Sequence, residues 1–107
     1  MANDRIKGNL ELLLLAALAT GPAHGYELAS AIKDRSGGEF VLAEGTIYPA
    51  LHGLERRGLV SSSWEVVGGR RRRVYELSGS GREARAQQAA DWARFARGMD
   101  MVLGGTA

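Results

Sequence analysis

The chain has 107 residues, 45% of them hydrophobic and 24% charged, with a formal net charge of +2. That is the size and balance of one compact globular domain, which excludes a multidomain assembly. The absence of cysteine excludes disulfides, thiolate metal sites and a cysteine nucleophile, two histidines (His24 and His52) are too few for most metal sites, and the longest apolar run, Leu12 to Ala19, is only eight residues. A soluble, cytoplasmic protein with no cofactor and no membrane partner is expected, and dimerisation would be a natural way for so small a domain to bury additional apolar surface.

In chain order, Arg5 and Lys7 precede an apolar stretch and superficially suggest a signal peptide. Glu11 interrupts that stretch, and Leu10, Leu13, Leu14, Ala17 and Leu18 follow the spacing of one buried helical face. Leu12, Leu15 and Ala16 fall on the other faces, so this first helix is expected to meet a second surface, either the C-terminal helix or a partner chain. Thr20-Gly21-Pro22 ends it. A second helix begins near His24 or Gly25, with Tyr26, Leu28, Ala29 and Ile32 as its apolar stripe, and Ser36-Gly37-Gly38 stops it. A third is expected from about Glu44 to Arg57, carrying Ile47, Ala50, Leu51 and Leu54 inward and capped by Gly58. Its opposite face holds Thr46, Tyr48, Pro49, His52, Gly53 and Arg56, several hydrogen-bonding groups and little acid. Pro49 fits a first turn or a kink, and Leu42-Ala43 offers no side-chain N-cap unless Thr46 or Glu44 supplies one, so the start of this helix is left open.

From Ser61 the period changes to that of a strand through Val67, Gly68-Gly69 reads as a turn, and Arg70 to Leu77 as a second strand. Residues 56–73 hold six arginines against Glu65 alone, a local charge of +5, whereas residues 21–55 sum to −3. Charge alone leaves a solvated loop and a phosphate-binding edge both open. Three helices followed by a hairpin is, however, the order of a winged helix-turn-helix, with a third helix for the DNA major groove and a wing for the adjacent backbone.

One long helix follows, opened by the capping-box pattern Ser80-Gly81-Arg82-Glu83, with Ser78 as a competing cap. Its roughly two dozen residues would extend on the order of 36 Å. Ala89, Trp92, Ala96, Met99 and Leu103 recur at the spacing of a helix-pairing seam, with Phe95 and Val102 beside it. This marks a dimerisation element, although a local core helix would show a similar pattern. Gly104-Gly105-Thr106-Ala107 is expected to fray. The fold class is therefore mostly α (α+β), a winged helix-turn-helix domain over residues 1–78 with a two-stranded wing, then a long C-terminal dimerisation helix over residues 79–107.

Across nearly the whole chain, Lys7-Gly8-Asn9-Leu10-Glu11, Gly21-Pro22-Ala23-His24-Gly25-Tyr26-Glu27-Leu28, Glu44-Gly45-Thr46-Ile47-Tyr48-Pro49-Ala50-Leu51, Leu54-Glu55-Arg56-Arg57-Gly58-Leu59-Val60 and Arg73-Val74-Tyr75-Glu76-Leu77-Ser78 resemble the PadR family of bacterial transcriptional regulators. The resemblance is to its short subfamily with a single C-terminal helix. It implies a homodimeric winged-helix repressor that binds an inverted-repeat operator in double-stranded DNA and releases it on binding a small molecule, often phenolic. It places Thr46, Tyr48 and Pro49 at the DNA-facing start of the recognition helix, and Lys7 and Asn9, with Gly8, near a backbone contact. His52 and Arg56 continue the helix face, and Arg70, Arg71, Arg72 and Arg73 match the wing. Tyr26 and Tyr75 are expected in the core. Leu12, Leu15, Ala89, Trp92, Phe95, Ala96, Met99 and Leu103 are expected at the dimer interface. The resemblance to multidrug-sensing members further implies that Trp92, flanked by Phe95, Ala96, Met99 and Leu15, stacks on a planar aromatic ligand.

Departures from the family pattern are Asn9 where Thr or Ser is usual, Gly53 within the recognition helix, and four consecutive arginines in the wing. No nucleophile–base constellation, paired carboxylates or phosphate loop suggests an enzyme. A nonspecific nucleic-acid binder and a winged-helix protein-interaction module remain alternatives at the level of sequence.

Overall fold

The computed structural model describes residues 4–105, and side chains from residue 6 onward. Four helices and three strands follow the order α1 (Asp4–Leu18), β1 (Ala23–His24), α2 (Gly25–Arg35), α3 (Glu44–Arg56), β2 (Val60–Val67), β3 (Arg70–Leu77) and α4 (Gly79–Val102). The core forms where the apolar stripes of α1, α2 and α3 meet the inner ends of the hairpin strands: Leu14, Leu15, Leu18, Leu28, Ile47, Leu51, Leu54 and Tyr75 are all essentially inaccessible to solvent. Each such aliphatic side chain stabilises the fold by roughly 1.5–3 kcal/mol relative to exposure.

Local chemistry explains the boundaries. His24 begins α2 as an N-cap, its Nδ1 accepting from the Glu27 amide at 3.3 Å while Glu27 Oε1 accepts from the His24 amide at 3.0 Å. Gly58 closes α3 with φ +74°, letting the Leu59 amide turn back to the Leu54 carbonyl at 3.0 Å. Ala43 leads into α3 with no side-chain cap, so the absence of a capping residue read in the sequence is real, and the helix runs through Pro49.

The sheet has one strand more than the expected hairpin. Its order is β1-β3-β2, all antiparallel, with Ala23 paired to Tyr75 and His24 to Val74. A two-residue strand carries no detectable periodicity, and its pairing is visible only once α2 is docked. Between β2 and β3, Gly68 and Gly69 have φ of 59° and 79°, both left-handed, as a two-residue hairpin turn requires. The turn sets the register, Val67 opposite Arg70 through Val60 opposite Leu77.

Two expectations are corrected here. Tyr26 is 62% exposed rather than buried; two residues advance a helix by about 200°, so a face built on Leu28 and Ile32 turns Tyr26 outward. Leu15, expected at an interface, is 0% exposed and belongs to the core of its own chain, with no surface left for a partner or ligand. At the C-terminus, Gly104 has φ +79° and the Gly105 amide donates to the Asp100 carbonyl at 2.8 Å, closing the turn that follows α4; Thr106 and Ala107 lie outside the described residues.

The competing cap wins at the start of α4. Ser78 Oγ accepts from the Gly81 amide at 3.0 Å and donates to the Gly58 carbonyl at 2.6 Å, while the Ser78 amide donates to the Leu59 carbonyl at 3.1 Å. Gly81 is buried against Leu59, a close approach that needs a residue without a β-carbon. The long helix therefore grows from the turn that closes α3. Its length dominates the principal-axis extents of 52 × 29 × 21 Å.

Candidate nucleic-acid interface

The exposed face of α3 and the hairpin meet in one open groove of about 360 Å³, lined by Tyr48, His52, Glu55, Trp64, Arg73 and Tyr75. Tyr48 is half-buried because its ring lies over Gly25; a β-carbon there would stand 2.6 Å from the ring. Gly25 thus lets the start of α2 approach α3 closely, which orients Tyr48. Thr46, Pro49, His52 and Arg56 are exposed along the same helix.

Alternation along the hairpin sorts its side chains. Val60, Ser62, Trp64 and Val66 pair with Leu77, Tyr75, Arg73 and Arg71 on one face, which begins in the core and continues outward beside α3. Arg70 and Arg72 point to the other face. Arg73 Nε donates to Ser62 Oγ at 2.9 Å, and Ser62 Oγ donates to Glu55 Oε2 at 2.7 Å, so a short polar chain ties wing to helix. Arg71 and Arg73 both lie over the Trp64 ring, 4.8 and 5.2 Å from its centroid. Burial pushes the Tyr75 phenol above its ordinary value, and the Glu55 carboxylate adds to the rise.

Ion pairing among the described residues joins Arg57 to Glu11 and Arg94 to Asp91, while His24 Nε2 stands 3.4 Å from the Glu27 carboxylate. Arg56 and the four wing arginines have no carboxylate within ion-pair distance among those residues. Such a ribbon, beside a helix face of hydrogen-bonding groups, is chemically suited to phosphate oxygens.

The fold divides the sequence-predicted residues among three places. Tyr48, His52 and Arg73 come together in the groove, with Thr46, Pro49, Arg56, Arg70, Arg71 and Arg72 on the adjoining surface of the same two elements. Lys7 is exposed on α1, and half-buried Asn9 lines a different groove, about 340 Å³, with Leu12, Asp91, Trp92 and Phe95. An adjoining cavity of about 390 Å³ brings Trp92 and Leu12 to Phe40 and Glu39. Along α4, Trp92, Phe95, Met99 and Leu103 are 46%, 59%, 47% and 75% exposed, with Ala89 and Ala96 partly covered. Trp92 and Phe95 line the first of these cavities, whereas Ala96 and Met99 line neither.

Glu55, Ser62 and Trp64 went unnoticed as functional residues. Their signal was present: counting outward from the Gly68-Gly69 turn puts Trp64 opposite Arg73 and Ser62 opposite Tyr75.

Comparison with known proteins agrees with this geometry. The model of the transcriptional regulator PadR-like family matches residues 14–87. Transcriptional regulator Rv3488 of Mycobacterium tuberculosis is 38% identical over 96 residues, spanning 90% of this chain and 84% of that protein. A PadR family transcription regulator from Clostridium difficile R20291 superposes with a TM-score of 0.77 at 29% identity, covering 89% of this chain and 98% of that one. Bacillus subtilis PadR, solved in complex with operator DNA, superposes with a TM-score of 0.67 at 25% identity, over 75% of this chain and 46% of that one. Members of this family are transcriptional regulators, not enzymes. With the family model spanning most of the core and the wing, and a regulator 38% identical along nearly its whole length, the chain belongs to the PadR-like family of transcriptional regulators.

Proposed function

We propose that this protein is a cytoplasmic, homodimeric repressor that binds an inverted-repeat operator through α3 and the wing, and leaves it when a planar aromatic or phenolic molecule binds near the dimer interface. The observation that carries the DNA-binding reading is the continuous surface of α3 and the wing, on which Arg56, Arg70, Arg71, Arg72 and Arg73 lack acidic partners among the described residues. The operator complex of Bacillus subtilis PadR supports it. In this reading residues 1–78 form the DNA-binding head and residues 79–107 the dimerisation helix. Thr46, Tyr48, Pro49 and His52 address base edges and phosphates, and the wing arginines neutralise backbone charge. Lys7 and Asn9 serve a backbone contact from α1.

Dimerisation is supported by the apolar stripe from Trp92 to Leu103, which its own chain leaves exposed on a helix extending beyond the head. A twofold axis along this helix would bring two copies of Leu12, Ala89, Trp92, Phe95, Ala96, Met99 and Leu103 together, and would set two recognition helices about one DNA turn, roughly 34–36 Å, apart. The cavities beside Trp92 give an aromatic ligand space next to that axis. A ligand preferring a different separation of the heads would lower operator affinity in proportion to that preference.

Selection against a random duplex library at near-physiological salt tests the reading. Enrichment of an inverted repeat with half-site centres one helical turn apart is the expected result. Retention without enrichment would replace it with nonspecific nucleic-acid binding, and no retention with a protein-interaction role.

A further inference from the structure

We propose that Trp64 is a positioning residue of the wing: its indole ring holds the guanidinium groups of Arg71 and Arg73 in place for phosphate contact, while Arg70 and Arg72 contribute charge without such guidance. The role rests on the DNA-binding reading above.

Three observations support it. Trp64 is 54% exposed, so it is not a core residue that merely touches two arginines. The guanidinium carbons of Arg71 and Arg73 stand 4.8 and 5.2 Å from its ring centroid, inside the range of about 6 Å in which a cation is held over an aromatic face. The ladder pairs Trp64 with Arg73 and Val66 with Arg71, placing all four on the face that runs inward to Tyr75, whereas Arg70 and Arg72 lie on the reverse.

The chemistry suits positioning. A guanidinium group carries its N–H donors in its plane, so stacking engages its face and leaves those donors directed outward for oxygen acceptors. Arg73 commits Nε to Ser62, which is bonded in turn to Glu55 on α3, and its guanidinium also hydrogen-bonds the Tyr75 phenol at the inner end of the same face. Trp64 and this polar chain therefore fix the wing arginines relative to the recognition helix. Part of the side-chain ordering that DNA binding would require is already present in the free protein.

The test compares the unmodified protein with Trp64→Ala, Trp64→Phe and Arg71→Lys, titrating a selected duplex across a range of salt concentrations. Trp64→Ala is expected to lose about tenfold in affinity while the slope of log K against log salt stays within about 1 of the unmodified value, because every charge is retained. Trp64→Phe should recover most of that loss. Arg70→Ala with Arg72→Ala should instead flatten the slope. Arg71→Lys keeps both the charge and Trp64 but not the planar group, and a loss of about threefold or more at unchanged slope is expected, a result that stands even should the alanine variant misfold.

A measurement without DNA separates this role from the reading beneath it. Nitrogen relaxation of the arginine Nε–H groups should show Arg71 and Arg73 more ordered than Arg70 and Arg72, and loosened by Trp64→Ala. Equal mobility of the four in the unmodified protein would overturn the positioning role and leave DNA binding untouched. Unchanged duplex affinity in both Trp64→Ala and Arg71→Lys, or no rescue by phenylalanine, would overturn it as well. Failure of the unmodified protein to bind any duplex would overturn the DNA-binding reading and this role together.

Discussion

A β-carbon on Gly81 would collide with the carbonyl oxygen of Leu59, a backbone atom that cannot move without shifting the turn after α3. Gly81→Ala should therefore destabilise the fold by about 1–3 kcal/mol or more, read as a lower urea midpoint at unchanged slope. Gly53 is the opposite case. A β-carbon there meets only the end of the Arg56 side chain at 3.7 Å. Gly53→Ala should raise stability by roughly 0.5–1 kcal/mol through helix propensity alone. Tyr75 makes a pH prediction at the same scale. Its phenol pKa is raised in the folded state by burial and by Glu55, so the native protein holds that proton more tightly than the unfolded chain. The stabilisation is complete below the unfolded value near 10 and is lost as pH rises from there through the folded value. Chemical denaturation as a function of pH should show stability falling above about pH 10, and less steeply in Tyr75→Phe.

Among the elements, α3 is weakly secured by its local sequence, although the proposed function places it against DNA. It starts at Ala43 without a side-chain cap, contains Pro49 and Gly53, and is held chiefly by Ile47, Leu51 and Leu54 in the core. Ala43→Ser should add a cap to the α3 amides and stabilise the protein by about 0.5–2 kcal/mol in thermal or urea unfolding. The wing is the contrasting element. Its register was readable because a two-residue glycine turn leaves little choice, and from that register the two faces of the arginine run follow. The capping of α4 was less readable: Ser78 and Ser80 are both plausible caps in sequence, and the bonds of Ser78 to Gly58 and of the Gly81 amide to Ser78 decide between them.

On the scale of the whole molecule, the separation between a charged wing and the exposed apolar stripe of a long helix yields two independent expectations. If a dimer neutralises roughly six to eight phosphates, log K for duplex should fall against log salt with a slope of about −5 to −7, measurable by anisotropy titration. A slope near −1 would remove the wing from the interface. If the proposed dimer forms along α4, Phe95→Glu with Met99→Glu should shift sedimentation from dimer to monomer, since facing like charges in a desolvated seam cost several kcal/mol. The variant should remain folded, because both side chains are already largely exposed in the single chain.

Periodicity, caps and turn glycines in the sequence were enough to determine the order of helices and hairpin, the winged helix-turn-helix class and the location of the basic edge, because each depends on residues close together along the chain. Tertiary structure alone decided the pairing of β1 with β3, the outward turn of Tyr26, the enclosure of Leu15, and the groove that Asn9 shares with Trp92 and Phe95. It also joined Glu55, Ser62, Trp64 and Arg73 into one unit. These outcomes depend on which faces meet when helices and sheet dock, and helical spacing says that a face is apolar without saying what will cover it.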